Sequence, residues 1–483
     1  MWSSVLQMSR VGINGIVFLI LVRWLPIREV GFFGTSMSIV AFAQIFVRLG
    51  VLETYIREKE PTKEFKNTCF WISCCIGIVA ALMIASVGSV YILFTDASRQ
   101  GMFMLALATV PLFESFGIVP EAMLRRNLTF KTLAKRTFVA TSISGFIAIS
   151  LGALGFEGWS LIGFTVISSL LSSILALSMC GWWPTGWLTP KAVRAIVTPA
   201  FQITSAGFAS ASIVPTTQIV VAVIAGPAAA GAYTIAQRFL GLANSFVIEP
   251  ARQVALPILA GLNDKPSART AAICEAVSFL TTVTTPIYLG MFAISDQLLQ
   301  LLVGANGRAA TPIFEGLSWT FAPVVISMLI GQLLTAIGRP REVLKFTIVQ
   351  AGVNVVVSAL VAWLIVDQTG VAFALRAYAL MPIVFWQAWR HAEVPPLPIL
   401  KAALPPLPAG LLMIFAIYCV EHWILPDRLE PGLSTLAAQI MVGAVSYPVV
   451  LRLIAPRHFK KSFASVTSLL KRGRPTASAA RQR

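Results

Sequence analysis

Apolar residues occur along the chain in long continuous blocks that are separated by short polar segments. Several blocks, such as 68–93, 159–182 and 346–366, are close to the roughly 20 residues that a helix needs to cross the hydrocarbon core of a bilayer. The apolar residues do not alternate with polar ones, which favours membrane helices over the strands of a barrel. The pattern predicts an all-α polytopic membrane protein with about 14 transmembrane helices. Their predicted positions are 11–26, 29–52, 68–94, 101–123, 137–155, 159–182, 199–225, 229–250, 271–294, 311–337, 346–366, 370–390, 405–425 and 432–454.

The composition supports the same interpretation. Of the 483 residues, 57% are hydrophobic and 12% are charged, whereas an ordinary soluble domain carries roughly a quarter charged residues. The formal net charge is +17, which in a soluble protein would suggest a nucleic-acid partner. Because the basic residues lie mainly in the connections between the apolar blocks, membrane topology explains this charge and no nucleic-acid partner is expected.

Lysine and arginine are concentrated in alternate connections between the predicted helices. Positive residues favour the cytoplasmic side of a membrane, so we predict that the connections after even-numbered helices are cytoplasmic. With an even number of helices, both termini are then cytoplasmic. The richest of these connections contain Arg57, Lys59, Lys63 and Lys66; Arg125, Arg126, Lys131, Lys135 and Arg136; and Arg339, Arg341 and Lys345. The opposite connections contain only Arg23, Arg28, Arg99, Arg308 and Arg428.

A weak internal repeat gives the predicted domain organisation. Residues 16–33 and 219–233 each contain an apolar run, a short turn with proline, and a glycine near aromatic residues that opens the next helix. A chance match is the alternative, because lipid restricts the residues that a spanning segment can use. The repeat predicts six-helix lobes at 1–183 and 199–390, joined by a cytoplasmic linker at 184–198. Two further helices at 391–454 and a basic cytoplasmic tail at 455–483 follow, and the tail either lies as a helix on anionic lipid or is solvated.

Three segments of the chain have a distinctive sequence, namely GFFGTSMSIVAFAQIFVRLGVLETYIRE at 31–58, VPEAMLRRNLTFKTLAKR at 119–136, and GAYTIAQRFLGLANSFVIEPARQVALPILAGL at 231–262. They resemble the polysaccharide transporter family, which comprises O-antigen and exopolysaccharide flippases within a superfamily that also contains multidrug extruders. The resemblance implies two lobes around a central cavity, and alternating access across the bacterial inner membrane. It implies an undecaprenyl-diphosphate-linked oligosaccharide as substrate, membrane lipids and a polysaccharide polymerase as partners, and no cofactor. The Thr-Thr-Gln at 216–218 departs from the polar or acidic residue that the family usually has there, which leaves a role for charge at that place in doubt.

Charged residues inside spanning helices are costly and therefore become the candidates for substrate binding. The arginines are Arg48, Arg238 and Arg376, and the deepest acid is Glu114. A guanidinium is always charged and binds phosphate through two parallel hydrogen bonds, which suits a diphosphate. Each residue has a structural alternative. Arg48 can extend to the headgroups, Arg238 can donate hydrogen bonds between helices, Arg376 can face away from a cavity, and Glu114 can be the counter-ion of an arginine or a proton carrier.

Other function classes fit the sequence less well. The longest outer connection, 295–310, holds only Asp296 and Arg308 as charged residues, and the three histidines belong to no nucleophile or metal constellation. We therefore predict a transporter and not an enzyme, with no catalytic residues and no metal site. A multidrug extruder, a lipid II flippase and a membrane-embedded polysaccharide polymerase remain the alternatives. The prolines at 111, 215, 286 and 323 are expected to bend their helices, as a rocking transporter requires.

Overall fold

The computed structural model describes residues 2–94, 98–261, 266–364, 369–421, 432–456 and 458–459. This part of the chain is helical and contains no strand. The helices are α1 (Trp2–Trp24), α2 (Ile27–Arg57), α3 (Lys63–Phe94), α4 (Ser98–Leu107), α5 (Thr109–Arg126), α6 (Phe130–Ala153), α7 (Trp159–Cys180), α8 (Pro190–Ala211), α9 (Ile213–Ala260), α10 (Pro266–Ala293), α11 (Ser295–Val303), α12 (Ala305–Ser318), α13 (Phe321–Ala336), α14 (Pro340–Leu364), α15 (Thr369–Ala379), α16 (Met381–Ala392), α17 (Pro396–Ala403), α18 (Pro406–Cys419) and α19 (Leu433–Ile454).

The chain is a multi-pass membrane protein. Among the described residues, ten helices are long and apolar enough to cross a bilayer, or eleven if α12 and α13, which are bent by 51°, form one span. Large apolar side chains such as Leu82, Met83 and Phe94 of α3 are exposed, as residues that face lipid would be. The predicted all-α polytopic fold is thus confirmed, while the count of about 14 helices and the lobe boundaries stay predictions. Most of the predicted basic tail, at 457 and 460–483, lies outside the described residues.

Proline explains where several predicted spans divide into shorter helices. Pro111, Pro215 and Pro323 are each the third residue of a helix that follows a break, in α5, α9 and α13. A proline has no N–H for the carbonyl four residues earlier, and its ring clashes with that carbonyl. For Pro111 and Pro215 that carbonyl belongs to the last residue of the preceding helix, and for Pro323 it belongs to Trp319 in the break itself, so the missing hydrogen bond accounts for the position of each break. By contrast, Pro286 lies inside the continuous helix α10.

Glycines allow α2 and α9 to approach each other closely at the two copies of the weak repeat. A Cβ atom on Gly31 would lie 1.8 Å from the carbonyl oxygen of Pro227, and a Cβ atom on Gly231 would lie 2.2 Å from the carbonyl oxygen of Ile27. These contacts are reciprocal between equivalent positions, as a local two-fold relation would produce. In α9, Gly226 breaks the helix with φ 84° and ψ 176°, a backbone conformation that is essentially restricted to glycine.

The chain forms two compact units. The first comprises Met1–Arg238, Leu302–Ala310 and Thr347–Thr369, and the second comprises Phe239–Leu301, Thr311–Phe346 and Gly370–Arg483. Each has an apolar core of its own. The core of the first unit includes Val47, Val51, Tyr55, Cys69 and Val119. The core of the second includes Val277, Leu329, Leu333, Val384 and Ala388.

Candidate functional site

Polar side chains inside the first unit line a cavity of about 480 Å³. Its walls come from α1, α2, α5, α6 and α7, with one residue from α9. The packing of α2 on α5, of α5 on α7 and of α6 on both α1 and α7 holds these walls together. The volume is within the range of roughly 300 to 1,000 Å³ that is usual for sites of small ligands. Seven charged residues line the cavity, namely Arg48, Arg125, Arg136, Arg238, Glu53, Glu114 and Glu121.

Arg48 of α2 and Glu114 of α5 form an ion pair across the cavity. The Nη2 of Arg48 donates to Oε1 of Glu114 at 2.6 Å, and the Nε donates to Oε2 at 2.9 Å. Gln44, one turn earlier on α2, donates from Nε2 to the same Oε1 at 3.1 Å. The side chain of Arg48 is 41% exposed, whereas that of Glu114 is 11% exposed. The interpretation of Glu114 as the counter-ion of an arginine is therefore confirmed, and Arg48 keeps an open side toward the cavity.

A second charged group lies at one end of the cavity, around Glu121 of α5. Its Oε1 accepts a hydrogen bond from Nη2 of Arg125 at 2.6 Å, and its Oε2 accepts one from Nη2 of Arg136 at 3.0 Å. Glu121 and Arg125, four residues apart on α5, thus form the local pair that this spacing favours. Arg136 lies on α6, so the spacing of residues along α5 could not predict that it also pairs with Glu121. One carboxylate thus faces two guanidinium groups, which leaves this end of the cavity positive.

Arg238 differs from the other cavity arginines because no carboxylate neutralises it. Among the described residues it forms no ion pair, and its guanidinium carbon lies 5.0 Å from the ring centroid of Phe18. Phe18 also lines the cavity. A guanidinium over an aromatic face is attracted to the ring, which orients the group while leaving its N–H donors available. The side chain is exposed. Within the described part of the chain, Arg238 is therefore the cavity-lining arginine that is free to meet an anionic ligand.

The cavity lining contains four arginines and three glutamates, which gives it a net charge of +1. It brings together three of the four residues that the sequence proposed for substrate binding, namely Arg48, Glu114 and Arg238. Arg376 lies on α15 in the second unit and is not among the residues that line this cavity. The assignment of these residues to a substrate stays a prediction.

A hydroxyl-bearing face on α7 was not among the features predicted from the sequence. Thr165, Ser168, Ser169, Ser172 and Ser173 line the cavity along this helix. Their spacing alternates between one and three residues, which places them on one helical face. The signal was present in the sequence as ISSLLSSI at 167–174. Hydroxyl groups both donate and accept hydrogen bonds, so this wall suits a ligand rich in hydroxyl groups, while the arginines suit an anionic group.

The chain matches the model of a family described as polysaccharide biosynthesis protein over residues 20–311. A succinoglycan biosynthesis transport protein of Rhizobium meliloti, ExoT, is 21% identical over 459 residues, which cover 94% of this chain and 92% of that protein. The teichuronic acid biosynthesis protein TuaB of Bacillus subtilis is 22% identical and covers 70% of each chain. The lipopolysaccharide biosynthesis protein WzxC of Escherichia coli is 21% identical over 72% of this chain and 71% of that protein.

Solved structures of transporters resemble the fold. An inward-facing multidrug resistance transporter of the MATE family, in the MOP superfamily, matches with a TM-score of 0.56 at 13% identity, over 78% of this chain and 98% of that one. A MOP superfamily transporter from Pyrococcus furiosus matches with a TM-score of 0.54 at 13% identity, over 81% of this chain and 94% of that one. At this identity the likeness shows the fold alone, which is that of MATE-like transporters.

Proposed function

The chain belongs to the family of polysaccharide biosynthesis proteins, and from this premise we propose that it is a flippase for a lipid-linked oligosaccharide. The substrate is an undecaprenyl-diphosphate-linked repeat unit of an exopolysaccharide or lipopolysaccharide. The protein moves it across the bacterial inner membrane by alternating access, with both termini cytoplasmic. In this role it is a transporter and not an enzyme.

The printed names of the relatives support this class of substrate. They concern succinoglycan transport, teichuronic acid biosynthesis and lipopolysaccharide biosynthesis. The alignment with the succinoglycan transport protein covers nearly the whole of both chains. All three products are polysaccharides, and one of the three proteins is named as a transporter.

The observation that carries the proposal is the pairing of an unneutralised cation with a hydroxyl-lined wall in one cavity. Arg238 offers its guanidinium without a competing carboxylate among the described residues. Ser168 and Ser172 offer hydroxyl groups from α7. A diphosphate binds to the guanidinium through charge-assisted hydrogen bonds, and sugar hydroxyls exchange hydrogen bonds with the serines.

Such a cavity addresses the physical obstacle to flipping. A sugar head that enters hydrocarbon without hydrogen-bond partners loses several kcal/mol for each unpaired polar group, by estimates of roughly 2 to 7. A cavity lined by hydroxyl groups and arginines replaces the lost water, while the lipid tail stays in the bilayer. The ion pair of Arg48 with Glu114 limits the net charge, so that binding the anion does not prevent its release.

Alternating access requires helices that can change their angles. The breaks before Pro111, Pro215 and Pro323 supply points where backbone hydrogen bonds are already absent. One such point separates α12 from α13, which are bent by 51°. We propose that these breaks act as hinges during transport.

Export in the native host tests the proposal. A strain that lacks the gene is complemented with the wild-type protein, Arg238→Ala, Arg238→Lys or, as a matched control, Arg308→Ala, whose side chain is exposed and outside the cavity lining. We expect Arg238→Ala to abolish most of the surface polysaccharide, Arg238→Lys to restore part of it because a lysine keeps the charge without the planar fork, and Arg308→Ala to behave as wild type. Protein levels in the membrane are measured in parallel.

Three outcomes would contradict the proposal. Normal surface polysaccharide in Arg238→Ala would remove this cation from the transport path. A deletion strain with normal polysaccharide but greater drug sensitivity would favour a multidrug extruder, and accumulation of unlinked repeat units on the outer leaflet would favour a polymerase.

A further inference from the structure

The second unit contains an acidic cavity that the proposed transport path does not use. Its volume is about 210 Å³, and it lies where α10 ends and α11 begins, beside α12, α18 and α19. Three carboxylates line it, from Asp296, Glu315 and Glu421. No cationic side chain is among its lining residues, and none of the three carboxylates forms an ion pair within the described part of the chain.

Two of the carboxylates are held in place by neighbouring side chains. Ser295 donates from Oγ to Oε1 of Glu315 at 2.8 Å, and Gln300 donates from Nε2 to Oδ1 of Asp296 at 2.6 Å. These neutral donors orient the carboxylates and leave their charge in place. The lining of the cavity is therefore negatively charged, although the net charge of the chain is +17.

A buried amide gives the independent indication that a ligand belongs here. Gln439 of α19 lines the cavity and is 0% exposed, yet among the described residues neither its Nε2 nor its Oε1 has a hydrogen-bond partner. The Oε1 of Gln297, on the same lining, is also buried and has no partner within the part of the chain that the structure describes. A buried amide without partners costs roughly 1 to 3 kcal/mol for each unpaired group. Two such amides in one cavity indicate a ligand that carries both hydrogen-bond donors and an acceptor.

We propose that this cavity binds a primary ammonium group that has a hydrogen-bond acceptor close by, as in an ethanolamine moiety. The ammonium donates to Glu315, Asp296 and the Oε1 of Gln439, and the neighbouring oxygen of the ligand accepts from the Nε2 of Gln439. The volume corresponds to roughly seven water molecules at about 30 Å³ each, which accommodates such a group and exceeds a bare metal ion. The ring of Phe292, on the lining, adds an aromatic surface for the cation.

The position of the cavity along the helices indicates two sources for this group. The lining includes residues at the C-terminal ends of α10 and α18 and at the start of α11, and Gln439 is the seventh residue of α19, about 9 Å from the start of the helix. Helix ends of a spanning bundle lie near the lipid headgroups. The ammonium therefore belongs either to the headgroup of an aminophospholipid or to a free amine in the adjoining water.

Thermal unfolding of the full chain in nanodiscs tests the inference and separates the two sources. In one series, phosphatidylglycerol nanodiscs are prepared with an increasing fraction of phosphatidylethanolamine or phosphatidylcholine. In a second series, the nanodiscs contain phosphatidylglycerol alone, and ethanolamine, choline, sodium or magnesium is added to the solution. We expect phosphatidylethanolamine, ethanolamine or both to raise the unfolding midpoint. Phosphatidylcholine and choline should have no comparable effect, because a quaternary ammonium has no N–H to donate.

The variants are Gln439→Leu and Glu315→Gln, with Gln332→Leu and Glu275→Gln as matched controls elsewhere in the same unit. Each cavity variant should need at least about tenfold more of the ethanolamine probe for the same shift, because Gln439→Leu removes the amide that pairs with the ligand and Glu315→Gln removes a negative charge that attracts the ammonium. The two variants are independent, so the inference remains testable if one of them fails to fold. A response to free ethanolamine alone would identify a soluble source and still support the site.

Four results would overturn the inference. They are equal shifts with choline-containing probes, cavity variants that respond like the wild-type protein, a response to sodium or magnesium without one to either ethanolamine probe, and no response to any probe. None of these measurements depends on Arg238 or on polysaccharide export, so the proposed transport function and this site can fail separately.

Discussion

The ion pair of Arg48 with Glu114 makes a quantitative prediction about the cavity. Two charge-assisted hydrogen bonds, at 2.6 and 2.9 Å, join the two side chains. Fully buried bonds of this kind contribute roughly 1.5 to 3 kcal/mol each. Because 41% of the Arg48 side chain is exposed, water screens the pair. We therefore expect a coupling energy of about 2 kcal/mol, well above the values of an exposed pair.

A double-mutant cycle measures this coupling. The free energy of unfolding is determined in mixed micelles for the wild-type protein, Arg48→Ala, Glu114→Ala and the double variant. The loss in the double variant should be smaller than the sum of the two single losses by about 2 kcal/mol. Alanine is used because glutamine at position 114 would still accept a hydrogen bond from Arg48.

The chain provides a matched pair for comparison. Arg252 and Glu249 are 2.7 Å apart, but their side chains are 53% and 34% exposed. Their coupling should be only about 0.3 to 0.5 kcal/mol, as is usual for exposed pairs on one helix. Equal coupling energies for the two pairs would refute the reasoning, because they would mean that the cavity screens the attraction between Arg48 and Glu114 to the same degree as bulk water.

The remaining predictions concern the serine face and the break in α9. Replacing both Ser168 and Ser172 by alanine should weaken oligosaccharide binding, measured in a transport titration, by roughly 1 to 3 kcal/mol in total, and it should leave the unfolding midpoint unchanged. The control Ser178→Ala, on the same helix but outside the cavity lining, should change neither the binding nor the unfolding midpoint. Gly226→Ala should destabilise the protein by about 1 to 3 kcal/mol because φ is 84° there, and Gly241→Ala, which has open space and a helical backbone, should stabilise it slightly in the same unfolding assay.

The sequence predicted the all-α membrane fold because membrane helices are determined locally. Each needs a long apolar block, and the backbone must satisfy its own hydrogen bonds in lipid. The breaks could be anticipated only in part, since proline marks a missing hydrogen bond but does not say whether the helix bends or divides. Pro286 lies inside a continuous helix, whereas Pro323 follows a break.

The candidate site was predicted less completely, because the sequence does not determine how each helix is oriented about its own axis. The cost of charge in a membrane identified Arg48, Glu114 and Arg238, which line one cavity. The same cost also selected Arg376, which lies in the second unit outside that cavity, because hydropathy does not tell which neighbour a residue faces. The serine face was overlooked because serine is tolerated in membrane helices, although its repeated spacing on α7 was visible.

The most direct test of the account is the transfer of a labelled substrate by the purified protein in vesicles. A fluorescent undecaprenyl-diphosphate oligosaccharide is placed in the inner leaflet of proteoliposomes, and its arrival in the outer leaflet is followed with an enzyme that modifies only exposed sugar. We expect transfer by the wild-type protein and by Arg308→Ala, little transfer by Arg238→Ala, and weak transfer when a neutral linkage replaces the diphosphate. Equal transfer of the diphosphate and neutral substrates, or by Arg238→Ala and the wild-type protein, would show that no cavity guanidinium carries the anionic headgroup.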